Sequence, residues 1–241
     1  MKLNNIIEIK AKLVLKTGLH IGAGDSEMHI GGIDNAVIKH PITHSPYIPG
    51  SSLKGKIRSL LEWRSGEVKL EWRSGEVKSE PLNLKSLQHA KDPSAVKNIL
   101  SLFGVTGDSQ NDEAKLAEIG VSRLAFWDCA LNKEWEATIT ADNLMLTEAK
   151  TENMINRISS LAEHPRQTER VPAGAEFDFK LTMRQFEDDS EALLDLLLKG
   201  LRLLELDSLG GSGSRGYGKV KFENLTVAGK PVELDAIDPF Q

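Results

Sequence analysis

A glycine-rich segment near residue 210 is the part of this sequence best suited to hold an anion. Residues 209–219 read LGGSGSRGYGK and place five glycines within the nine positions 210–218. Backbone N–H groups without neighbouring side chains can approach a ligand closely and surround an anion. We therefore predict that this glycine loop (residues 209–219) binds phosphate through Gly210, Gly211, Gly213, Arg215, Gly216 and Lys219.

Two nucleotide-binding motifs nearly fit the glycine loop, but both lack the required context. Gly211, Gly213 and Gly216 have the spacing of the dinucleotide fingerprint, and Val220 stands where a P-loop needs Ser or Thr. Both motifs require a strand before the loop and a helix after it. Here the periodicity predicts a helix before the loop and a strand after it, so we expect no nucleotide cofactor. A flexible helix-to-strand turn is the simpler alternative.

A second set of candidate phosphate ligands lies at the start of a predicted helix. Ser51 or Ser52 is a good N-cap type, and Leu53, Ile57 and Leu61 give the helix an apolar face. N-terminal amides, hydroxyls and cations together suit phosphate binding. The candidates here are Ser51, Ser52, Lys54, Lys56 and Arg58. The alternative is an ordinary capped helix facing solvent.

Asp34 and His20 lie in early loops and could do chemistry. Asp34 follows Gly31-Gly32, and its carboxylate could hold a divalent metal or accept a proton, or it could be a turn residue. His20 could contact a ligand or transfer a proton. The remaining histidines and Cys129 lack the spacing of zinc ligands, so we predict no structural zinc.

A polar region at residues 150–172 carries a third group of cations, Arg157, Arg166 and Arg170. Glu163 and Glu169 dilute its charge, and we expect both to be solvated. The net charge of -5 argues against a general nucleic-acid binder, although local basic regions still allow phosphate binding. One cysteine suits a reducing compartment, and the sequence shows neither a signal peptide nor a membrane span.

The predicted elements follow the order of a ferredoxin-like α+β fold. Strands are expected at about 6–16, 121–131, 177–183 and 218–228, and helices from about residue 51 and at about 190–207. The order strand, helix, strand, strand, helix, strand defines that fold. Both helices would then cover one face of the sheet.

One nonapeptide, LEWRSGEVK, occurs twice in succession, at residues 61–69 and 70–78. On a continuous helix nine residues rotate by about 900°, which would place Trp63 and Trp72 on opposite faces. We therefore interpret the second copy as a looped-out insertion and expect residues from about 64 to 98 to be mobile.

Several segments together resemble one family, the backbone (RAMP, Cas-seven-like) subunit of type III-A CRISPR Csm effector complexes. The segments are TGLHIGAG, GIDNAVIKHPIT, YIPGSSLKGKIRSLL, TENMINRISSLAEHPRQTERVPAGAEFDF and GLRLLELDSLGGSGSRGYGKVKFENL. They cover the chain to about residue 228, except for the region around 62–120. The combination is specific, whereas each segment alone is weak.

The resemblance implies a single RAMP domain over residues 1–241 with a ferredoxin-like (RRM-like) palm, inserted loops and a thumb β-hairpin. The palm would comprise about 5–60, 120–145 and 174–228, a flexible helical insertion about 62–118, and the thumb about 146–173. Copies would stack into a filament along a CRISPR RNA, together with other Csm subunits that include the large polymerase-like subunit. Such a protein acts in prokaryotic antiviral defence in the cytoplasm, without a membrane.

The resemblance also implies roles for individual residues. Asp34 would be the catalytic residue and would bind a divalent metal, Mg²⁺ or Mn²⁺, while each subunit cuts guide-paired target RNA at regular intervals. The three candidate sets above would bind RNA, together with His20. Arg157, Arg166 and Arg170 would lie near the duplex, and Val171 and Pro172 could supply an apolar wedge.

Two rival functions remain compatible with the residues. The first is a non-catalytic scaffold that binds the guide, in which Asp34 is only a loop residue. The second is a standalone endoribonuclease that processes CRISPR RNA, which would act alone and use a histidine without a metal.

Overall fold

The computed structural model describes residues 2–24, 35–73, 76–105 and 113–241. In chain order the elements are β1 (Leu3–Leu15), β2 (Tyr47–Ile48), α1 (Gly50–Ser65), β3 (Leu70–Arg73), β4 (Glu76–Ser79), α2 (Leu84–His89), α3 (Pro93–Phe103), α4 (Glu113–Ile119), β5 (Leu124–Phe126), β6 (Cys129–Ala130), α5 (Lys133–Ala141), β7 (Glu148–Ile155), β8 (Ala162–Arg170), β9 (Glu176–Phe186), α6 (Ala192–Leu206), β10 (Val220–Val227) and β11 (Lys230–Pro231). Catalytic candidate Asp34 lies outside the described residues.

A five-stranded antiparallel sheet in the order β11-β10-β1-β9-β5 forms the centre of the molecule. Central β1 pairs with β9 through Leu13 opposite Phe177, and with β10 through Leu13 opposite Phe222. Alternating side chains of these strands point into the core, as the period of two predicts. The predicted ferredoxin-like palm is confirmed, although the strand expected at 121–131 is divided into β5 and β6.

Helices α1 and α6 cover one face of the sheet and pack against each other. Their buried residues include Ile57 and Leu61 from α1 and Leu197, Leu201 and Leu204 from α6. This packing brings the end of α6, where the glycine loop begins, beside the first half of α1.

The opposite face of the sheet carries ion pairs in place of a hydrophobic layer. Lys180 contacts Glu8 at 2.8 Å, and Lys12 contacts Glu176 at 2.7 Å. These alternate charges on neighbouring strands neutralise one another. The described part of this face therefore lacks the paired aromatic side chains on which RRM sheets stack bases.

The region after α1 is more ordered than the sequence led us to expect. Helix α2 and the first part of α3 fall within the segment predicted to be mobile, and the buried side chains of both helices join the main hydrophobic core. Leu84, Val96 and Ile99 are each at most 3% exposed. The amphipathic pattern of α3, with Asp92 accepting hydrogen bonds from the first-turn N–H groups of Ser94 and Ala95, explains this order.

The two copies of the nonapeptide adopt different structures. The first copy completes α1, which ends at Gly66 in the left-handed conformation with φ of 71°. The second copy supplies both strands of the β3–β4 hairpin, a separate two-stranded sheet. None of the described helices combines the length and apolar character needed to cross a membrane.

We predict that deleting residues 70–78 changes the free energy of unfolding by less than about 1 kcal/mol. In the described pairings, β3 and β4 pair only with each other, and an isolated hairpin contributes little stability. Denaturant unfolding of the deletion variant measures this. Ile99→Ala is the positive control, since removing this buried side chain should cost about 2–5 kcal/mol. A loss of that size on deletion would contradict the prediction.

Candidate nucleic-acid interface

The glycine loop is folded against the segment that follows β1. The Gly218 N–H donates to Gly18 O at 2.9 Å, and the Gly211 N–H donates to His20 O at 2.9 Å. Gly210 has φ of 74°, and a Cβ there would lie 2.4 Å from His20 O. Only glycine allows this close approach of two backbones. The contact places His20 beside the glycine loop.

The tip of the glycine loop presents backbone donors that are not used inside the described structure. Ser212 has φ of 61° and precedes a short 3-10 turn at Gly213–Arg215. The N–H groups of Ser212, Gly213 and Ser214 donate to no described acceptor. A left-handed residue followed by a helical turn arranges such groups around an anion. Arg215 lies next to them, with its side chain 60% exposed.

The start of α1 differs in detail from the prediction. Pro49 occupies the N-cap position, and the N–H of Gly50 donates to the Asp128 carboxylate at 2.7 Å, so Ser51 and Ser52 belong to the first turn of the helix. Ser51 is exposed, and neither hydroxyl forms a hydrogen bond with a described residue. Both hydroxyls therefore remain available at the positive end of the helix dipole.

Asp207, at the end of α6, connects α1 to the glycine loop. Lys56 forms an ion pair with its carboxylate at 2.7 Å, and Lys219 donates to its backbone oxygen at 2.6 Å. Lys54 is half-buried and pairs with no described residue. Burial, followed by the charge of Arg58, lowers the pKa of Lys54. Lys54 is therefore the cation of α1 with the most to gain from an anionic ligand.

Arg58 does not lie with the other cations. Its guanidinium contacts the buried Glu62 at 2.7 Å and donates to Leu82 O at 2.8 Å and Gly104 O at 3.2 Å. The spacing of four residues predicted that Arg58 would lie beside Lys54 and face the same ligand. Instead, the guanidinium donates its hydrogen bonds to residues of α1 and of the segment that follows it. This geometry gives Arg58 a structural role between α1 and the insertion.

Glu169, expected to be solvated, is 6% exposed and lies at the base of the β7–β8 hairpin. Its carboxylate accepts hydrogen bonds from the Val37 N–H at 3.0 Å, Lys39 Nζ at 2.6 Å and Thr147 Oγ1 at 2.7 Å. Its backbone N–H donates to Asn35 O at 2.9 Å. One buried residue thus fixes the segment that follows Asp34 against the hairpin. An acidic residue at the end of a polar strand carries no sequence signal of burial.

The charge of Glu169 is stabilised by these donors. Burial alone would raise its pKa, but the hydrogen bonds from Lys39, Thr147 and Val37 outweigh burial and lower the pKa. The carboxylate therefore stays ionised at neutral pH, and its three acceptor contacts persist.

The imidazole of His20 is oriented by the same residue. His20 Nδ1 lies 2.7 Å from Glu169 O, and a carbonyl oxygen can only accept, so Nδ1 carries the hydrogen. Nε2 forms no hydrogen bond with a described residue. It is therefore open to act as an acceptor in the neutral ring or as a donor in the charged ring.

The β7–β8 hairpin presents two exposed arginines and an apolar tip. Arg157 and Arg166 are exposed and form no ion pair with a described residue, whereas Arg170 pairs with Glu148 at 2.7 Å. Val171, predicted as part of an apolar wedge, is 3% exposed and pairs with Leu19. Val171 therefore cannot form an exposed wedge. The exposed apolar side chains of the hairpin lie at its tip instead, at Met154, Ile155, Ile158 and Leu161.

The described residues contain no group of three or more His, Cys, Asp or Glu side chains that could hold a metal ion. A carboxylate–histidine metal centre therefore does not fit the described part of the interface. The predicted metal ligand, Asp34, lies outside that part.

We predict that Glu169→Gln lowers the free energy of unfolding by about 1–3 kcal/mol at pH 7, because three donors lose a charged acceptor. The folded pKa of Glu169 is lowered, so its stabilisation is present above the unfolded pKa of about 4.3 and is lost as pH falls through the folded value. Denaturant unfolding should show a constant difference between about pH 7 and pH 5 that shrinks below about pH 4.

Glu163→Gln is the matched control, because Glu163 lies on the same strand but is only half-buried. It should change stability by less than about 0.5 kcal/mol. Equal effects of the two substitutions at pH 7 would contradict the role of Glu169.

Comparison with known proteins identifies the family of this chain. The RAMP superfamily model matches residues 12–221. The CRISPR system Cms endoribonuclease Csm3 of Streptococcus thermophilus is 43% identical over 91% of this chain and 88% of that protein. Its counterpart from Methanothermobacter thermautotrophicus is 39% identical over 93% and 86%.

A solved structure shares the fold. The Csm3–Csm4 subcomplex of the type III-A CRISPR-Cas interference complex contains a chain that is 24% identical, with a TM-score of 0.54. The match covers 94% of this chain and 80% of that one. From its sequence relatives, the chain belongs to the RAMP superfamily and, within it, to the Csm3 family.

Proposed function

We propose that this chain is the backbone subunit of a type III-A CRISPR complex, which binds a guide RNA and cuts the target RNA paired with it. The single observation that carries the proposal is the Glu169 network. It brings His20, the segment after Asp34 and the hairpin base together beside the glycine loop. The relatives named Csm3 endoribonuclease support the activity.

The guide would be held through its phosphates. Donors without any base-reading geometry come from the N–H groups of residues 212–214, which no described acceptor uses, from the hydroxyls of Ser51 and Ser52, and from the ammonium of Lys54. Contacts to phosphate position a nucleic acid and carry no sequence information. Guide binding should therefore be independent of guide sequence and weaken with salt.

The hairpin would act on the guide–target duplex. Arg157 and Arg166 provide exposed cations that pair with no described residue, and the apolar tip provides side chains that can enter between base pairs. Insertion of apolar side chains unstacks adjacent bases and bends the backbone. Each subunit would in this way expose one target phosphate per interval.

Cleavage would use the 2′-hydroxyl next to that phosphate. The 2′-oxygen forms a bond to phosphorus while the bond from phosphorus to the 5′-oxygen breaks, which leaves a 2′,3′-cyclic phosphate and a 5′-hydroxyl. Asp34 would accept the 2′-hydroxyl proton, and the leaving oxygen would take up a proton. The reaction depends mostly on in-line geometry, which the duplex distortion would supply.

We also propose a requirement for Mg²⁺ or Mn²⁺, which rests on the resemblance and on the carboxylate of Asp34. Such an ion, when bound, stabilises the charge that develops on a phosphoryl group. The described residues form no metal cluster, so Asp34 is the residue that we assign to hold the ion.

Assembly follows from the same proposal. Further copies of this chain would stack along the guide, next to other Csm subunits, including the large polymerase-like one. The solved Csm3–Csm4 subcomplex supports partners of this kind. The complex would act in the cytoplasm.

We predict that Asp34→Ala in the reconstituted complex lowers cleavage of a labelled complementary RNA by about 10²-fold or more, because the proton acceptor is lost. Wild type should give a regular ladder with Mg²⁺ and none with EDTA, and RNA binding should persist in the variant. Asp188→Ala is the matched control, because Asp188 is an exposed acidic residue remote from the interface.

Three other outcomes would contradict the prediction, and each would favour a different explanation. A ladder that survives Asp34→Ala would move catalysis to another residue, and no ladder from wild type would favour the scaffold. Cutting of repeat RNA by the isolated chain without metal would favour the processing nuclease.

A further inference from the structure

Tyr217, in the glycine loop, lies against the base of the β7–β8 hairpin. Its side chain is 0% exposed. Lys150 Nζ from β7 lies 4.5 Å from the ring centroid, and Arg170 Cζ from β8 lies 5.0 Å from it. Cations at these distances are attracted to the face of an aromatic ring. One ring from the glycine loop thus contacts both strands of the hairpin.

Carboxylates hold these two cations in place. Arg170 Nε contacts Glu148 at 2.7 Å, and Lys150 contacts Glu152 at 3.2 Å. Glu152 also contacts Arg215, from the glycine loop, at 3.2 Å. The hairpin base and the glycine loop therefore share a continuous set of charges around the Tyr217 ring.

The backbone leaves room for this arrangement at Gly18. A Cβ at residue 18 would lie 2.5 Å from Arg170 Cδ. The Gly218 N–H donates to Gly18 O at 2.9 Å, so the glycine loop and the Arg170 side chain contact the same residue. A shift of the glycine loop would therefore move the contacts of Arg170.

The ring, and not the hydroxyl, makes these contacts. The buried Tyr217 hydroxyl faces the Glu152 carboxylate but forms no well-aligned hydrogen bond within the described structure. Burial, followed by the nearby Glu152 carboxylate, raises the pKa of Tyr217, so the hydroxyl stays neutral. Removing that hydroxyl should therefore leave the contact between loop and hairpin intact.

We propose that Tyr217 is a positioning residue that couples the guide-binding glycine loop to the β7–β8 hairpin and so sets which target phosphate is cut. The inference rests on the proposed function, because it assigns the guide to the loop and the target to the hairpin. Guide binding orders the loop, the Tyr217 ring orders Lys150 and Arg170, and these fix the direction of the hairpin. The cut position then follows from the guide.

The test has two readouts in the reconstituted complex. The first is amide hydrogen exchange in residues 148–152 and 166–170, with and without guide RNA. The second is a single-nucleotide map of target cleavage under single-turnover conditions. Wild type should show slower hairpin exchange with guide and one main cut per interval.

Two variants remove the coupling in different ways. Tyr217→Leu removes the ring, and Lys150→Met removes one cation from a half-buried position, so it remains informative should Tyr217→Leu fail to fold. Both should abolish the guide-dependent slowing of exchange. Both should also spread cuts to neighbouring phosphates and slow the main cut by about tenfold or more. The affinity for guide RNA should stay within about threefold of wild type, because the contact positions the hairpin and does not itself bind the guide.

Two controls should behave as wild type. Tyr217→Phe keeps the ring, with its contacts to Lys150 and Arg170, and removes only the hydroxyl. Lys180→Met removes a different cation–ring contact, in which Lys180 Nζ lies 4.3 Å from the centroid of the Trp127 ring. This contact lies on the face of the sheet that α1 and α6 do not cover.

The proposal would be overturned if both Tyr217→Leu and Lys150→Met showed the exchange response and the cut map of wild type. If Tyr217→Leu does not fold, the same result for Lys150→Met alone would overturn it. So would a Tyr217→Phe variant that loses the coupling as fully as Tyr217→Leu. Failure of the proposed function looks different, because the wild-type complex would then cut no target. The exchange measurement would still decide the coupling.

Discussion

The buried carboxylate of Glu169 is the interaction on which the arrangement of the interface depends. A buried charge is strongly unfavourable unless donors surround it, and here the donors come from Val37, Lys39 and Thr147. These residues are about 130 and 22 positions away along the chain. Satisfying one charge therefore requires the segment after Asp34 and the start of the hairpin to meet at the same point. The orientation of His20 follows from the same residue.

The proposed guide-binding surface is built more from backbone than from charge. Lys56 and Lys219 are occupied with Asp207, and Arg58 is occupied in the core. The glycine loop offers N–H groups that no described acceptor uses, beside the exposed Arg215. Under the proposal, these local donors replace a broad basic surface, so a chain of net charge -5 can hold RNA.

Sequence patterns predicted the palm well, since strand alternation and helix periodicity reflect local burial. The alternation in β1 and the leucine spacing in α6 each indicate which face of the element is buried, without knowledge of what packs against it. The position of the glycine loop between a helix and a strand was also predicted correctly, because glycine and serine interrupt both periodic patterns. The apolar residues of α3 carried the same kind of signal, which the neighbouring duplication obscured.

The remaining features depend on contacts between distant residues. Glu169 and Arg58 have ordinary surface residue types, and only the folded chain shows that partners surround them. Val171 is buried because it pairs with Leu19, far away in sequence. The duplicated nonapeptide forms a helix end in one copy and a hairpin in the other, so its conformation is decided by its surroundings and not by its residues.

Single-turnover cleavage by the Glu169→Gln complex tests the central claim most directly, because it separates positioning from binding. The account predicts a target affinity within about threefold of wild type. It predicts a cleavage rate lower by about tenfold or more, because the reacting groups would no longer be held in the productive geometry. A cleavage rate equal to that of wild type, with the variant folded and bound to target, would contradict it.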